Sequence, residues 1–339
     1  MKFVHTADTH LGFEITRIDQ SNPQGRKKRS DSIFQNFLTV IDYAKDMEAD
    51  LFIHSGDLFN KDYIPGEILN ELIQPLVDLG RLGTQVVIIP GNHERSQFPF
   101  DLFLGSSGVY VIDEPKALLL NVNGYAVNVA GFPFIRKNSK WIFHQALRET
   151  EYEGLRADFN ILVSHQAFDQ AVVGPHDFTF KAGRSDTVLR DTVPTDFDYI
   201  AAGHIHKHQI LPHPLKTGLY FVYPGSTQRI SFAEIHDEKG FIKGEIINNR
   251  IEIRFVPLAV YDMEVVEIKV AGFSVKECQK AIEDHAWRFN DNLVIRFNLI
   301  GGATLKDYPV MDFQNLREEL PSALECQFAI KTEKRWVKR

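Results

Sequence analysis

The stretch KFVHTADTH, residues 2–10, places a short apolar run directly before two potential metal ligands, Asp8 and His10. Such a run, rich in β-branched and aromatic residues, predicts a buried strand. The same pattern recurs along the chain, where DLFIHS, QVVIIP, NILVS and DYIAA precede Gly56-Asp57, Gly91-Asn92-His93-Glu94, His165 and Gly203-His204-Ile205-His206. We therefore expect all five polar clusters to emerge at the carboxyl ends of strands in one sheet, where α/β proteins place their chemistry.

The periodicity of the chain predicts how these strands are arranged. Helical spacing of apolar residues over residues 30–48 and 66–82 separates the first three predicted strands, which is typical of a layered α/β fold. Closely spaced strands follow over residues 108–134 and 219–258, with turn signals at Asn123-Gly124 and Asn248-Asn249. We predict an α/β sandwich of two mixed β-sheets flanked by helices.

A second domain is predicted beyond Leu258, where no further cluster of catalytic-type residues occurs. EVVEIKV and NLVIRFNLI are typical strands, and Ser274 with Glu277 three residues later indicates a capped helix between them. A helix near residues 312–320 and a strand near 324–331 would complete a small C-terminal α/β capping domain. The expected domains are residues 1–258 and 259–339.

Composition limits the classes of protein to which this chain can belong. The first residues enter a predicted strand at once and no long apolar stretch follows, so we expect a cytoplasmic protein without a signal peptide or a membrane span. Cys278 and Cys326 lack the spacing of a zinc site and are expected to be free thiols. The net charge of −7 gives no overall attraction for nucleic acid, so any such contact would depend on local basic patches and bound metal.

The residue types in the five clusters suit a pair of divalent ions. Two such ions about 3.5–4 Å apart can activate water and neutralise charge during an in-line phosphoryl displacement. Residues i and i+2 of an extended segment project to the same side, so Asp8 can act with His10, and His204 with His206. Asp57 is the candidate bridge. We expect one ion to be held by Asp8, His10, Asp57 and His206, and the other by Asp57, Asn92, His165 and His204.

The chemistry of this donor set favours particular metals and leaves one histidine for catalysis. Oxygen and imidazole ligands without thiolates suit manganese, with iron or zinc as alternatives. His93 adjoins Asn92 but is not needed as a ligand. It is therefore the candidate general acid toward the leaving oxygen, or a group that stabilises phosphoryl charge.

The ordered set resembles the calcineurin-like metallophosphoesterase superfamily, and its flanking segments resemble the SbcD-type branch of DNA double-strand-break repair nucleases. The segments that carry the resemblance are KFVHTADTHLG at residues 2–12, HSGDLF at 54–59, GHIHK at 203–207 and YPGS at 223–226. The resemblance implies manganese-dependent exonuclease action on double-stranded DNA and endonuclease action on single strands. It also implies a DNA-binding role for the capping domain, a homodimer, and a coiled-coil ATPase partner of SbcC type.

Candidate DNA contacts are less specific than the metal ligands. A basic group follows the Asp8 cluster, in what we predict to be a loop near the site, and it consists of Arg17, Arg26, Lys27, Lys28 and Arg29. These side chains could contact phosphates without reading sequence, and a solvated charged loop explains them equally well. Asn60 is a further candidate, at a position where some relatives have histidine.

Two other functions remain open at this point. A small-substrate phosphoesterase could use the same metal centre, although it would not need the separate domain beyond Leu258. Alternatively, the protein could act mainly as a scaffold that tethers DNA ends, with weak hydrolysis.

Overall fold

The computed structural model describes residues 1–13, 23–60, 66–94, 98–99, 103, 105–174, 178–179, 186–290, 292–301 and 325–331. Its helices are α1 (Pro23–Asp46), α2 (Gly66–Arg81), α3 (Ser139–Glu149) and α4 (Val275–Glu283). Its strands are β1 (Lys2–Thr6), β2 (Leu51–His54), β3 (Gln85–Ile88), β4 (Val109–Val111), β5 (Lys116–Val122), β6 (Tyr125–Phe132), β7 (Phe159–Ser164), β8 (Ala167–Phe168), β9 (Val172–Val173), β10 (Phe178–Thr179), β11 (Thr187–Val188), β12 (Tyr199–Ala202), β13 (Gln209–Pro212), β14 (Tyr220–Tyr223), β15 (Gly240–Ile247), β16 (Arg250–Pro257), β17 (Asp262–Lys269), β18 (Leu293–Ile300) and β19 (Glu325–Lys331).

The chain divides into two compact units. The first comprises Met1–Phe13 and Ser32–Val260, and the second comprises Glu14–Asp31 and Tyr261–Arg339. No pattern in the sequence predicts that residues 14–31 belong to the second unit.

The first unit contains two six-stranded mixed sheets. The first sheet has the order β16-β15-β1-β2-β3-β4, in which β1 to β4 are parallel and β15 pairs antiparallel with both of its neighbours, β1 and β16. The second has the order β13-β14-β12-β7-β6-β5, with four parallel central strands and an antiparallel strand at each edge. The predicted pair of mixed sheets is confirmed. The expectation that all five polar clusters follow strands of one sheet is wrong, because β1 to β3 belong to the first sheet and β7 and β12 to the second.

Successive side chains along each strand point to opposite faces of its sheet, so each sheet of this unit has an inner and an outer apolar face. Phe3 and Ile53 of the first sheet share a buried core with Val127, Ile161 and Ala201 of the second. The alternate residues of these strands point to the outer faces of the two sheets. On the first sheet they pack against α1 and α2, and on the second sheet they pack against α3. The two sheets therefore face each other and are flanked by helices.

Several local predictions can be compared with the structure. Helix α2 confirms the helix predicted over residues 66–82, with Pro75 inside it. Asn123 and Gly124 have φ angles of 51° and 84°, as a tight hairpin turn between β5 and β6 requires. Helix α1 begins at Pro23, earlier than predicted, so the basic residues 26–29 lie in a helix rather than in a loop. Proline is favoured at the first position of a helix because its φ is preset and its missing N–H is not needed there.

The second unit contains the parallel sheet β17-β18-β19 and α4. The capping box at Ser274 and Glu277 is confirmed: the Glu277 backbone N–H donates to Ser274 Oγ, and the Ser274 N–H donates to the Glu277 carboxylate. The predicted helix near 312–320 lies outside the described residues. Among the helices that the structure describes, none is long and apolar enough to span a membrane.

Candidate metal centre

The carboxyl ends of parallel strands deliver the predicted ligands to one place in the first unit. In the first sheet, Thr6 of β1 lies beside His54 of β2, which lies beside Ile88 of β3. In the second sheet, Ser164 of β7 lies beside Ala202 of β12. The polar residues that follow these strand ends come together as one cluster, which contains Asp8, His10, Asp57, Asn92, His165, His204 and His206.

The first group of donors consists of Asp8, His10 and His206, whose ligand atoms all lie within 4.8 Å of one another. The Nε2 atoms of His10 and His206 are 3.1 Å apart. The Nε2 atom of His206 is 3.8 Å from Asp8 Oδ1. These three residues come from both sheets, so the group forms only when the sandwich is assembled.

The second group is centred on His165. Its Nε2 atom lies 3.4 Å from Asp57 Oδ2 and 3.2 Å from Asn92 Oδ1. The Nδ1 atom of His204 lies 2.7 Å from the same Asn92 oxygen. Asp57 Oδ2 is also 3.9 Å from His10 Nε2, so this carboxylate lies between the two groups, where a bridging ligand must be.

Four of these residues have left-handed backbone, which is uncommon for any residue except glycine. The φ angles are 51° at Asp8, 53° at His10, 55° at Asp57 and 84° at His204. Each such residue costs on the order of 1–3 kcal/mol unless its surroundings compensate. Strain of this kind concentrates at functional sites, and here it aims the side chains at one another.

Three glycines provide the space that the cluster needs. A Cβ atom at Gly56 or Gly203 would overlap the His165 ring, and one at Gly91 would overlap the Asp57 carboxylate. The backbone at these positions therefore approaches the ligands more closely than any other residue type would allow.

Burial and charge determine the protonation of the histidines. Burial lowers the pKa of His10 and of His204 to about 3, so both rings are neutral at neutral pH and can offer a lone pair. Burial also acts to lower the pKa of His165, but Asp57 and Asp8 raise it to about 9. The two carboxylates thus favour positive charge at the centre of the cluster.

The pKa values of the two buried carboxylates, Asp8 and Asp57, are shifted in opposite directions. Burial raises the pKa of Asp8 to about 6. For Asp57 burial acts in the same direction, but the neighbouring His165, His10 and His93 shift its pKa well below the usual range. Two carboxylates that are each 1% exposed need a compensating cation, and the mixed oxygen and imidazole donors fit a divalent ion.

His93 lies at the open side of the cluster, with 40% of its side chain exposed. Its backbone N–H donates to Asp57 Oδ1 at 2.9 Å, and its Nδ1 lies 3.0 Å from the Asn60 carbonyl oxygen. A hydrogen bond from Nδ1–H to that carbonyl directs Nε2 toward the site, 3.9 Å from Asp57 Oδ2.

Residues 1–208 match the calcineurin-like phosphoesterase family. The chain belongs to this family. A phosphoesterase of this family has a divalent metal centre, and the cluster of carboxylate, amide and imidazole donors is the candidate for it in this chain.

Relatives of this phosphoesterase include named repair proteins. It is 29% identical over 259 residues to the DNA double-strand break repair protein Mre11 of Methanococcus maripaludis, covering 73% of this chain and 63% of that one. It is 29% identical over 276 residues to Mre11 of Methanocaldococcus jannaschii, covering 80% and 68%. It is 25% identical over 287 residues to the SbcD subunit of the nuclease SbcCD of Staphylococcus saprophyticus, covering 79% and 72%. The aligned part thus spans less than two thirds of the Methanococcus relative.

The structure adds Glu234 and Lys239, which no sequence pattern singled out, to the surroundings of the proposed ligands. His206 Nδ1 lies 3.3 Å from the buried Glu234 carboxylate. Lys239 Nζ donates to Glu234 Oε2 at 2.8 Å and to the His206 carbonyl at 2.9 Å, while Ser226 Oγ donates to Glu234 Oε2 at 3.2 Å. The available signal was the YPGS segment, which ends at Ser226.

Two further groups of hydrogen bonds, one that begins at His165 and one at Glu94, support the centre. His165 Nδ1 lies 2.7 Å from the Ser55 carbonyl, and Ser55 Oγ lies 2.9 Å from His5, which also contacts the Tyr199 hydroxyl. The Glu94 carboxylate, buried with a pKa raised to about 8 mainly by burial, accepts from the backbone N–H groups of Phe59 and Gly91. Glu94 therefore joins the loop of Asp57 to that of Asn92.

The predicted DNA contacts have different placements. Arg17 lies outside the described residues, as do the side chains of Arg26 and Lys27, whereas Lys28 is exposed on α1. The prediction that Arg29 contacts DNA is corrected by the structure. Arg29 is only 2% exposed and donates to the Tyr261 hydroxyl at 3.1 Å within the second unit. A guanidinium buried in this way packs the second unit and is not available to a phosphate. Asn60 contributes its backbone carbonyl to His93.

Proposed function

We propose that this phosphoesterase is a manganese-dependent DNA nuclease of double-strand-break repair, an exonuclease on duplex ends and an endonuclease on single strands. The observation that carries the hydrolytic part is the convergence of seven donor residues, with Asp57 between the two groups that they form. The choice of DNA is supported by the names of the relatives, Mre11 and the SbcD subunit of the nuclease SbcCD.

We assign roles to the residues of the centre as follows. Asp8, His10, Asp57 and His206 would hold one divalent ion, and Asp57, Asn92, His165 and His204 the other. The bound ions would activate water and neutralise charge on the phosphoryl group. His93, with Nδ1 directed to the Asn60 carbonyl and Nε2 toward the site, would protonate the leaving oxygen.

The proposal extends to assembly. Residues 259–339 would form a DNA-binding capping domain in addition to the phosphoesterase domain of residues 1–258, with Lys28 and Asn60 among the remaining candidate contacts. The active form would be a homodimer with an SbcC-type coiled-coil ATPase. The resemblance to SbcD-type nucleases and the names of the relatives support this part.

The test is digestion of linear duplex and single-stranded DNA by the full chain with Mn²⁺. We expect Asp57→Asn to lose both metal binding and cleavage, because it removes the central carboxylate. His93→Gln should keep metal binding but cut about 10²- to 10⁴-fold more slowly, the usual effect of removing a general acid. His236→Gln, which changes an exposed histidine of the same unit, serves as the control.

Other outcomes distinguish the alternatives. Turnover of bis(p-nitrophenyl) phosphate without any cleavage of DNA would indicate a small-substrate phosphoesterase. Tight DNA binding without hydrolysis of either substrate, across several divalent metals, would indicate a scaffold.

A further inference from the structure

Strand β6 provides a sixth strand end at the edge of the metal centre. It pairs with β7 in parallel, with Phe132 opposite Ser164. The chain that follows Phe132 therefore leaves the second sheet on the same side as His165. The segment that begins here, PFIRKNSKW at residues 133–141, leads into α3 and contains none of the seven proposed metal ligands.

Phe134 fixes the start of this segment at the rim of the centre. Its ring centroid lies 5.2 Å from that of His204 and 5.9 Å from that of His165. Its backbone N–H donates to the Pro90 carbonyl at 3.1 Å, which ties it to the loop that carries Asn92. The half-buried ring thus borders the place where a scissile phosphate would be bound.

Basic side chains follow directly. Arg136, Lys137 and Lys140 are exposed, and no aspartate or glutamate occurs between Phe134 and Glu149. None of the three forms an ion pair with another residue that the structure describes. On a chain with a net charge of −7, this is a local concentration of uncompensated positive charge in a segment that starts, at Phe134, beside the candidate metal centre.

Trp141 completes the segment and is 76% exposed. Helix α3 packs through Phe143, Ala146 and Leu147, which are buried, so the indole is not needed to hold the helix on the sheet. A large aromatic ring left in solvent near unpaired cations has the composition of a surface that binds an unpaired base and its phosphates.

We propose that Phe134, Arg136, Lys137, Lys140 and Trp141 form a basic–aromatic strip that binds a single strand of nucleic acid as it leaves the metal centre. The cations contact consecutive phosphates, and Trp141 stacks on an unpaired base. This inference rests on the proposed nuclease function and specifies which form of DNA the site holds. Stacking on a base requires an unpaired strand, so the strip favours single-stranded or frayed ends over intact duplex.

The experiment measures binding of a fluorescent 12-nucleotide single strand and of the matching blunt duplex to the full chain, with Ca²⁺ in place of Mn²⁺. Trp141→Ala should weaken single-strand binding roughly tenfold and duplex binding much less, because the lost stacking needs an unpaired base. Trp141→Phe keeps an aromatic ring and should retain most of the affinity. Single-strand binding should also quench tryptophan fluorescence in the wild type but not in Trp141→Phe.

The charges are tested through salt dependence. Arg136→Gln/Lys137→Gln should make the plot of log affinity against log salt shallower by about 1.4, since each phosphate contact on a single strand contributes about 0.7. The matched control is Arg250→Gln/Arg254→Gln, which removes two exposed arginines from β16 and should leave the slope unchanged.

Several results would overturn the strip. One is that Arg136→Gln/Lys137→Gln has the same salt-dependence slope and the same DNA affinity as the control Arg250→Gln/Arg254→Gln. Another is that Trp141→Ala loses as much affinity for the duplex as for the single strand. Binding of vesicles rich in phosphatidylserine that the strip variants abolish, while oligonucleotide binding is unaffected, would assign the surface to a membrane instead. If the wild type cleaves bis(p-nitrophenyl) phosphate but neither binds nor cuts DNA, the proposed function fails; if it cuts DNA and the variants bind normally, only the strip fails.

Discussion

His206, a proposed metal ligand, shows how its neighbours hold a single side chain in place. Glu234 faces its Nδ1 atom, and Lys239 contacts both that carboxylate and the His206 carbonyl. Lys239 is 1% exposed and Glu234 5%, so the pair is buried and its geometry is tightly constrained. A carboxylate at Nδ1 fixes the tautomer in which Nε2 is free to coordinate.

We expect Glu234→Gln to weaken Mn²⁺ binding about 10- to 100-fold, the usual effect of losing a group that orients a metal-binding histidine. Isothermal titration with Mn²⁺ measures this directly, without any nuclease assay. The control is Glu238→Gln, which removes an exposed carboxylate four residues later. Equal affinities for the two variants would show that Glu234 does not position His206.

The proposed metal ligands can be predicted from the sequence, whereas the residues that hold them in position cannot. Asp8, Asp57 and His165 each follow an apolar strand, so their position at a strand end can be inferred without a structure. Glu234 and Lys239 lie among several other charged residues after Ser231, where a buried charged pair cannot be distinguished from ordinary solvated charges. Their role depends on tertiary packing around His206.

At the level of elements, apolar periodicity predicts strands and helices well but not which strands share a sheet. The strands β3 and β7 are both mostly apolar and both precede proposed ligands, yet they belong to different sheets. The start of α1 differs from the prediction for another reason. The run of charges at residues 26–29 favours a solvated loop, whereas Pro23 is a favourable first residue of a helix. In the structure the helix begins at Pro23.

The capping box of α4 allows a prediction at this scale. Ser274→Ala should lower the stability of α4 by about 1 kcal/mol, because the Glu277 N–H loses its acceptor. Ser274→Asp should restore it, since aspartate also accepts that hydrogen bond. Hydrogen exchange of the α4 amides is the measurement, and unchanged protection in Ser274→Ala would contradict the prediction.

For the whole molecule, the main consequence of the metal centre concerns stability. Asp8 and Asp57 are both buried in the first unit, and a divalent ion that binds them stabilises the folded state relative to the unfolded chain. The second unit contributes none of the seven proposed ligands, which all lie within residues 1–13 and 32–260.

Saturating Mn²⁺ should therefore raise the Tm of the first unit. At a concentration about 100-fold above Kd, one bound ion contributes about 2.7 kcal/mol. Differential scanning calorimetry with Mn²⁺ and with a chelator measures the shift, which Asp57→Asn should largely abolish and the exposed-site control Asp191→Asn should retain. A shift of equal size in Asp57→Asn would show that stabilisation arises elsewhere.

Because the proposed donors are divided between two sheets, cleavage of the chain at one position could separate them into two fragments. A break in the exposed turn at Asp113-Glu114 would leave Asp8, His10, Asp57 and Asn92 on one fragment. The other fragment would carry His165, His204 and His206. Neither piece holds a complete coordination sphere, so uptake of an ion would report the reassociation of the two halves, and the metal would serve as a built-in indicator of fragment complementation.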